Sequence, residues 1–325
     1  MLQEKIAGPR DENVVLEVSG LSLTVLPAIG GKIASIRIGE KELLQAPLVP
    51  YALRSRTMAF DESDASGWDE CLPSVAACSV DLADSTSQEI PDHGDLWRVR
   101  WQDVTNGGQV EWDSVLVGCG LSLPLKLERA MKLIQTENGW RLNLLYSLNN
   151  TGSIPLPWSW AAHPLFAVEA GDRIILPDSI DSLRLEGSGG NRLGKGGDHV
   201  LWPIAKLAEG GETDLSLAQS IESGIGDKLF AGPLSATENW CALERPSAGV
   251  TIRMSFNPVA TPFLGLWICY GGWPDRPGAK QMGVALEPST APVDSLAVTG
   301  PWSRTLAAGE SFSWPMTVEI QSKQV

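Results

Sequence analysis

Apolar and polar residues alternate along most of this chain with a period of two. Leu21, Leu23 and Val25 are separated by Ser22 and Thr24; Trp97, Val99 and Trp101 by Arg98 and Arg100; Leu121, Leu123, Leu125 and Leu127 by Ser122, Pro124 and Lys126. The same spacing recurs at Leu142, Leu144, Tyr146 and Leu148, at Val250, Ile252, Met254 and Phe256, and from Phe312 through Trp314, Met316 and Val318 to Ile320. Successive side chains of a strand point to opposite faces, so each run predicts a half-buried strand. Asn138-Gly139 falls between two runs and predicts a hairpin turn. Almost no stretch has helical periodicity. The pattern predicts an all-β protein, a large antiparallel β-sandwich with ligands on a concave sheet face or among the end loops.

Glycine (33) and proline (22) are spread evenly and never gather into a linker, which predicts one domain over residues 1–325. The glycine-rich stretch from Glu186 to His199 lacks the G-K-[ST] ending of a phosphate loop and predicts a surface loop with a solvated His199. The net charge of -14 disfavours nucleic acid and anionic membranes, and weighs mildly against a phosphorylated substrate. Five cysteines without a C-x-x-C pair indicate neither a disulfide framework nor a structural zinc. No apolar run is long enough to cross a bilayer, and the acidic first residues do not form a secretory leader, so a cytoplasmic protein is expected.

Chemistry enters through three histidines and thirteen tryptophans. His93 occupies a Pro-Asp-His-Gly turn, where an imidazole contributes nothing to turning. His163 lies in W-S-W-A-A-H-P-L-F, immediately before a proline expected to break the strand ladder. Glu287 ends an apolar strand in M-G-V-A-L-E-P-S-T, and an acid there needs a partner or carries a raised pKa. Trp68, Trp97, Trp158, Trp160, Trp267 and Trp273 stand beside polar residues; indoles either fill cores or stack on sugar faces.

The H-G-x-x-W segment at His93, the H-P-L-F segment at His163, the L-G-L-W-I strand at Leu264 and the A-L-E-P-S-T segment at Ala285, in that order, resemble the aldose 1-epimerase (galactose mutarotase-like) family. G-G-K-I-A-S-I from Gly30 and I-P-L-P-W from Ile154 add to a likeness that runs from about residue 14 to 320. The resemblance implies a large antiparallel sandwich and the interconversion of sugar anomers through ring opening, without metal or redox cofactor. It implies Glu287 as catalytic base, His163 as general acid and His93 as the histidine that positions the sugar. On this reading His163 must be protonated while Glu287 is ionised. The family's Asn-Arg pair before the first histidine is absent: Arg54 or Arg56 is left for the arginine role, with Trp68, Asp69 and Glu70 as sugar contacts or a solvated loop tip. A sugar-contacting aspartate of the family falls on Asp227, and Trp160 and Trp267 are the candidate stacking platforms. Two other classes stay open, a carbohydrate-binding protein without turnover and a glycoside hydrolase or lyase using Asp69 or Glu70 opposite Glu287. The particular sugar and the oligomeric state are left undetermined.

Overall fold

The computed structural model describes residues 13–105 and 111–322; the N-terminal stretch read above for a leader lies, but for Asn13, outside them. Two antiparallel sheets carry the fold. The larger has 11 strands, ordered Val14–Val18, Leu21–Leu26, Lys32–Ile38, Trp68–Cys71, Ala161–Ala167, Met282–Ser289, Phe263–Tyr270, Ile225–Ala231, Ser182–Ser188 and His199–Leu201, with Lys41–Glu42 off this path beside Lys32–Ile38. The smaller has eight, ordered Arg173–Ile175, Trp240–Arg245, Val250–Phe256, Ser311–Ser322, Gly139–Asn150, Leu125–Thr136, Ser114–Cys119 and Gln102–Asp103.

One hydrophobic cluster joins the two inner faces. Leu142, Leu144, Tyr146, Trp314, Met316 and Val318 of the smaller sheet meet Leu229, Leu264, Leu266, Val284 and Leu286 of the larger. Alternation determines which residues these are, since every second side chain of each strand points to the partner sheet. A polar cluster also crosses the interface: Glu70, on the larger sheet, accepts from Arg129 Nη1 at 2.8 Å and Tyr146 Oη at 3.0 Å on the smaller, and from Trp160 Nε1 at 3.0 Å. Burial pushes the Glu70 carboxyl above its ordinary range, against the pull of Arg129.

The strands expected at Leu21–Val25, Leu142–Leu148, Val250–Phe256 and Phe312–Ile320 all form, and the expected hairpin turns one residue earlier, through Glu137-Asn138, with Gly139 already paired with Thr136. Two other expectations are corrected. Trp97 to Trp101 is not a strand: Leu96–Arg98 is a 3-10 turn, and Trp97, Arg98 and Trp101 are all buried. The chain is bent there because the Trp97 and Trp101 indoles donate to the carbonyls of Asp92 and Leu96, and Arg98 to those of Arg56 and Asp92. The run from Leu121 becomes a strand only at Leu125, because the Asp95 carboxylate gathers the Leu121 and Ser122 amides into a turn and Pro124 has no amide to pair.

Among the described residues no helix is long and apolar enough to cross a membrane, and no group of three or more acidic, histidine or cysteine side chains is arranged to hold a metal ion. The cysteines are free thiols.

Candidate active site

The outer face of the larger sheet, turned away from the core, holds a cleft of about 390 Å³. The strands Ala161–Ala167, Phe263–Tyr270 and Ile225–Ala231 give its floor His163, Trp267 and Lys228; Met282–Ser289 runs between the first two, and its Glu287 is buried behind the lining. Its walls are loops carrying Phe60 and Asp61, Asp92 and His93, Trp273, and Asp294.

His163 and Glu287 face each other because of strand register. Ala161 pairs with Ser289 and Leu165 with Ala285, so the residues midway between these pairs, His163 and Glu287, lie opposite one another. Pro164 and Pro288 lack amides, and the ladder is open between the two flanking pairs. The ladder break expected at Pro164 is therefore one-sided: the strand runs on to Ala167, and its other edge pairs His163 with Asp69. His163 Nε2 stands 3.6 Å from Glu287 Oε1.

On its far side Glu287 pairs with Gly265. A Cβ at Gly265 would sit 3.0 Å from Glu287 Oε2 and 3.2 Å from the Phe230 ring, so the missing side chain is what lets the carboxylate lie across that strand. There Oε2 accepts from Lys228 Nζ, while Oε1 has no hydrogen bond among the described residues. Lys228 Nζ is also 3.3 Å from Asp294 Oδ1. Burial alone would lower the Lys228 pKa, but Asp294 and Glu287 overcome it and raise it.

His93 owes its place to an unusual backbone. Its φ is 58°, a left-handed value that non-glycine residues adopt at a cost. The turn is tied to the neighbouring loop by His93 N to Val75 O (2.6 Å) and Asp95 N to Leu72 O (2.8 Å), and a Cβ at Gly94 would lie 2.1 Å from the Leu72 carbonyl. Its ring stacks on Phe60 at 3.6 Å and meets His163 edge-on at 5.2 Å. Asp92 Oδ2 is 3.0 Å from His93 Nδ1.

Burial, His93 and Lys228 hold the His163 pKa well below the usual imidazole value, against the opposing pull of Asp69. His163 is therefore neutral at pH 7, which corrects the expectation of a standing imidazolium.

The structure brings His93, His163, Glu287 and Trp267 together; Trp267 lines the cleft and donates from Nε1 to Gln281 at 2.6 Å. The other candidates lie elsewhere. The Arg54 side chain is 1% exposed, pairs with Asp64 and Asp69 and stacks on Trp97, while Arg56 is exposed to solvent away from the cleft lining. Asp69 lies beneath His163 and is taken by Lys32 and Arg54. Trp68, Glu70 and Trp160 are buried, the last two in the polar cluster between the sheets; none of the three lines the cleft. Asp227 shares core-facing parity with Ile225 and Leu229 and is held by Ser188 and Arg192. Arg192 comes from the glycine-rich Glu186–His199 stretch, whose His199 is exposed as expected.

Phe60, Asp61, Val75, Ala76, Asp92, Lys228, Gln281 and Asp294 are the lining residues that sequence reasoning passed over. Parity marks one of them: with Ile225 and Leu229 inward, Lys228 must face out. The others come from loops, where no period operates.

No protein-family model matches the sequence, and no curated protein matches it. Solved structures do. A galactose mutarotase-like protein from Lactobacillus casei superposes with a TM-score of 0.63 at 16% identity, over 95% of this chain and 100% of that one. The galactose mutarotase related enzyme from Lactobacillus acidophilus gives 0.65 at 15%, over 96% and 98%. The chain has the galactose mutarotase-like fold. The Slr1438 protein from Synechocystis also shares it, with a TM-score of 0.71 at 18% identity over 99% of this chain and 100% of that one. Identities this low establish the galactose mutarotase-like architecture alone, and activity must be argued from the side chains in the cleft.

Proposed function

We propose that the protein is an aldose 1-epimerase that interconverts the α and β anomers of a free sugar. The observation that carries this reading is the facing pair of His163 Nε2 and Glu287 Oε1, 3.6 Å apart, with His163 lining the cleft and Glu287 directly behind it. A hemiacetal carries its anomeric hydroxyl and its ring oxygen on one carbon, so an acid and a base serving both must be close neighbours. Glu287 Oε1 takes the hydroxyl proton and His163, in the fraction of molecules that carries the imidazolium, delivers one from Nε2 to the ring oxygen; the C1–O5 bond breaks, the C1–C2 bond of the open aldehyde turns, and the transfers reverse on closure. Trp267 and Trp273 offer indole faces to the sugar, and His93, braced by Phe60, stands beside the acid.

The free rather than phosphorylated sugar is supported by charge. Asp61, Asp92 and Asp294 line the cleft, and its lysine, Lys228, is already paired with two carboxylates. The hydrolase alternative rests on Asp69 or Glu70 opposite Glu287, and both of these are committed to buried cations. A binding protein would need the indoles but not the His163–Glu287 pair.

The test is polarimetric decay of a freshly dissolved single anomer across a panel of aldoses, with the spontaneous rate subtracted. Glu287→Gln preserves shape and is expected to bind sugar while losing at least about 100-fold in rate. A wild-type rate in that variant, with a normal melt, removes Glu287 from the base role.

A further inference from the structure

Among the described residues Lys228 is the cation bonded to Glu287, and the resemblance assigned it nothing. It projects from the strand Ile225–Ala231 on the cleft-facing parity, its side chain only 11% exposed. Its Nζ contacts Glu287 Oε2 on one side and Asp294 Oδ1, at 3.3 Å, on the other, and lies 5.3 Å from the Phe230 ring centroid. We propose that Lys228 is the positioning residue of the Glu287 base: by holding Oε2 it turns the carboxylate so that Oε1 alone faces His163 and the sugar, while Asp294 fixes the ammonium from behind. The proposal rests on the epimerase reading of Glu287.

The need for such a device follows from the neighbouring strand. A glutamate has three side-chain torsions, and the position beside Glu287 is Gly265, which offers no side chain to pack against the carboxylate. The group is 0% exposed, so water does not orient it either. Charge does what packing cannot. Asp294 contacts the ammonium from its other side, so the lysine is held between two carboxylates. The charged and titratable groups arranged around Glu287 are Lys228, Asp294, His163, His93, Asp69 and the buried Cys71 thiol. Of these, Lys228 is the one bonded to the carboxylate.

Three variants separate positioning from mere packing: Lys228→Met, Lys228→Arg and Asp294→Asn. For Lys228→Met, kcat in mutarotation is expected to fall about 10- to 100-fold with KM changed less than about twofold, because the base is misplaced while the sugar platform remains. The His163 limb of the pH profile should move to higher pH, since the lost cation opposed the imidazolium. Asp294→Asn should move it to lower pH, because the ammonium then loses a compensating carboxylate, and Lys228→Arg should recover most of kcat. A structural role alone would lower the melting temperature and leave that limb in place, which overturns the proposal. A readout independent of turnover is the crystal structure of Lys228→Met with ¹⁵N-histidine titration of each variant. A rotated Glu287 carboxylate and a raised His163 titration support positioning; an unmoved carboxylate and unmoved titration overturn it. If wild type accelerates no sugar's mutarotation, the epimerase reading fails and this second arm still decides what Lys228 holds. If Lys228→Met does not fold, Lys228→Arg and Asp294→Asn carry the same two readouts.

Discussion

At the scale of single residues, the cleft works by what is absent as much as by what is present. Gly265 sits on an ordinary strand, so alanine is conformationally free there, but its methyl would press on Glu287 Oε2 at 3.0 Å and Phe230 at 3.2 Å. Gly265→Ala is expected to fold normally and lose about 10-fold in mutarotation rate, since small displacements of a catalytic group are costly; a melt and a polarimetric rate test it, and an unchanged rate refutes it. His163 sets a second expectation. Its folded pKa is lowered, so below the unfolded imidazole value of about 6.5 the unfolded chain takes a proton that the native site resists. Its contribution to stability is present above that pH and is lost as pH falls toward the folded value. Urea unfolding at about pH 7.5 and 5.5 should show a smaller loss in His163→Asn than in wild type. Catalysis takes the opposite slope: the pair needs one proton beyond the neutral imidazole and ionised carboxylate, so the rate should rise as pH falls from about 8 toward 6.

At the scale of elements, the strand Trp68–Cys71 serves both faces of the larger sheet. Asp69 lies under His163 on the cleft side, and Glu70 reaches through the core to Arg129 and Tyr146. Arg129→Met would strand Glu70 without its cation, and breaking a buried pair in this way costs about 3–5 kcal/mol. A marked drop in melting temperature is expected, with the cleft residues in place in whatever fraction stays folded. Loss of less than about 1 kcal/mol in denaturant unfolding would show that the pair does not tie the sheets. The His93 turn is a comparable device on a loop, since stacking on Phe60 and the amide bonds to Val75 and Leu72 hold its left-handed backbone.

At the scale of the whole molecule, the net charge of -14 and the acidic cleft lining act in the same direction. Long-range repulsion slows the approach of anions and local carboxylates disfavour their binding. Hexose phosphates are expected neither to be turned over faster than the parent hexoses nor to compete with them at equal concentration, and the protein should not be retained on heparin at physiological salt. Competition by a hexose 6-phosphate in the polarimetric assay would contradict the first, and retention on the column the second.

The all-β class, most strands and, to within one residue, the hairpin before Gly139 were legible in the chain because a period of two is a local property that burial of one face imposes. His93, His163, Glu287 and Trp267 were legible as candidates through their segments. The sequence alone also determined that Lys228 and Asp227 point to opposite faces, a parity that its own apolar neighbours spell out. Tertiary structure decided the rest. Whether a buried carboxylate is a catalyst or a structural partner depends on which cation stands opposite it, and strand order chose Lys32 and Arg54 for Asp69 and Arg129 for Glu70. The low His163 pKa depends on burial and on two charges from distant segments, and Phe60 and Asp294 enter the cleft on loops with no period to announce them. Register across four strands, a long-range quantity, is what sets Glu287 between His163 and Lys228.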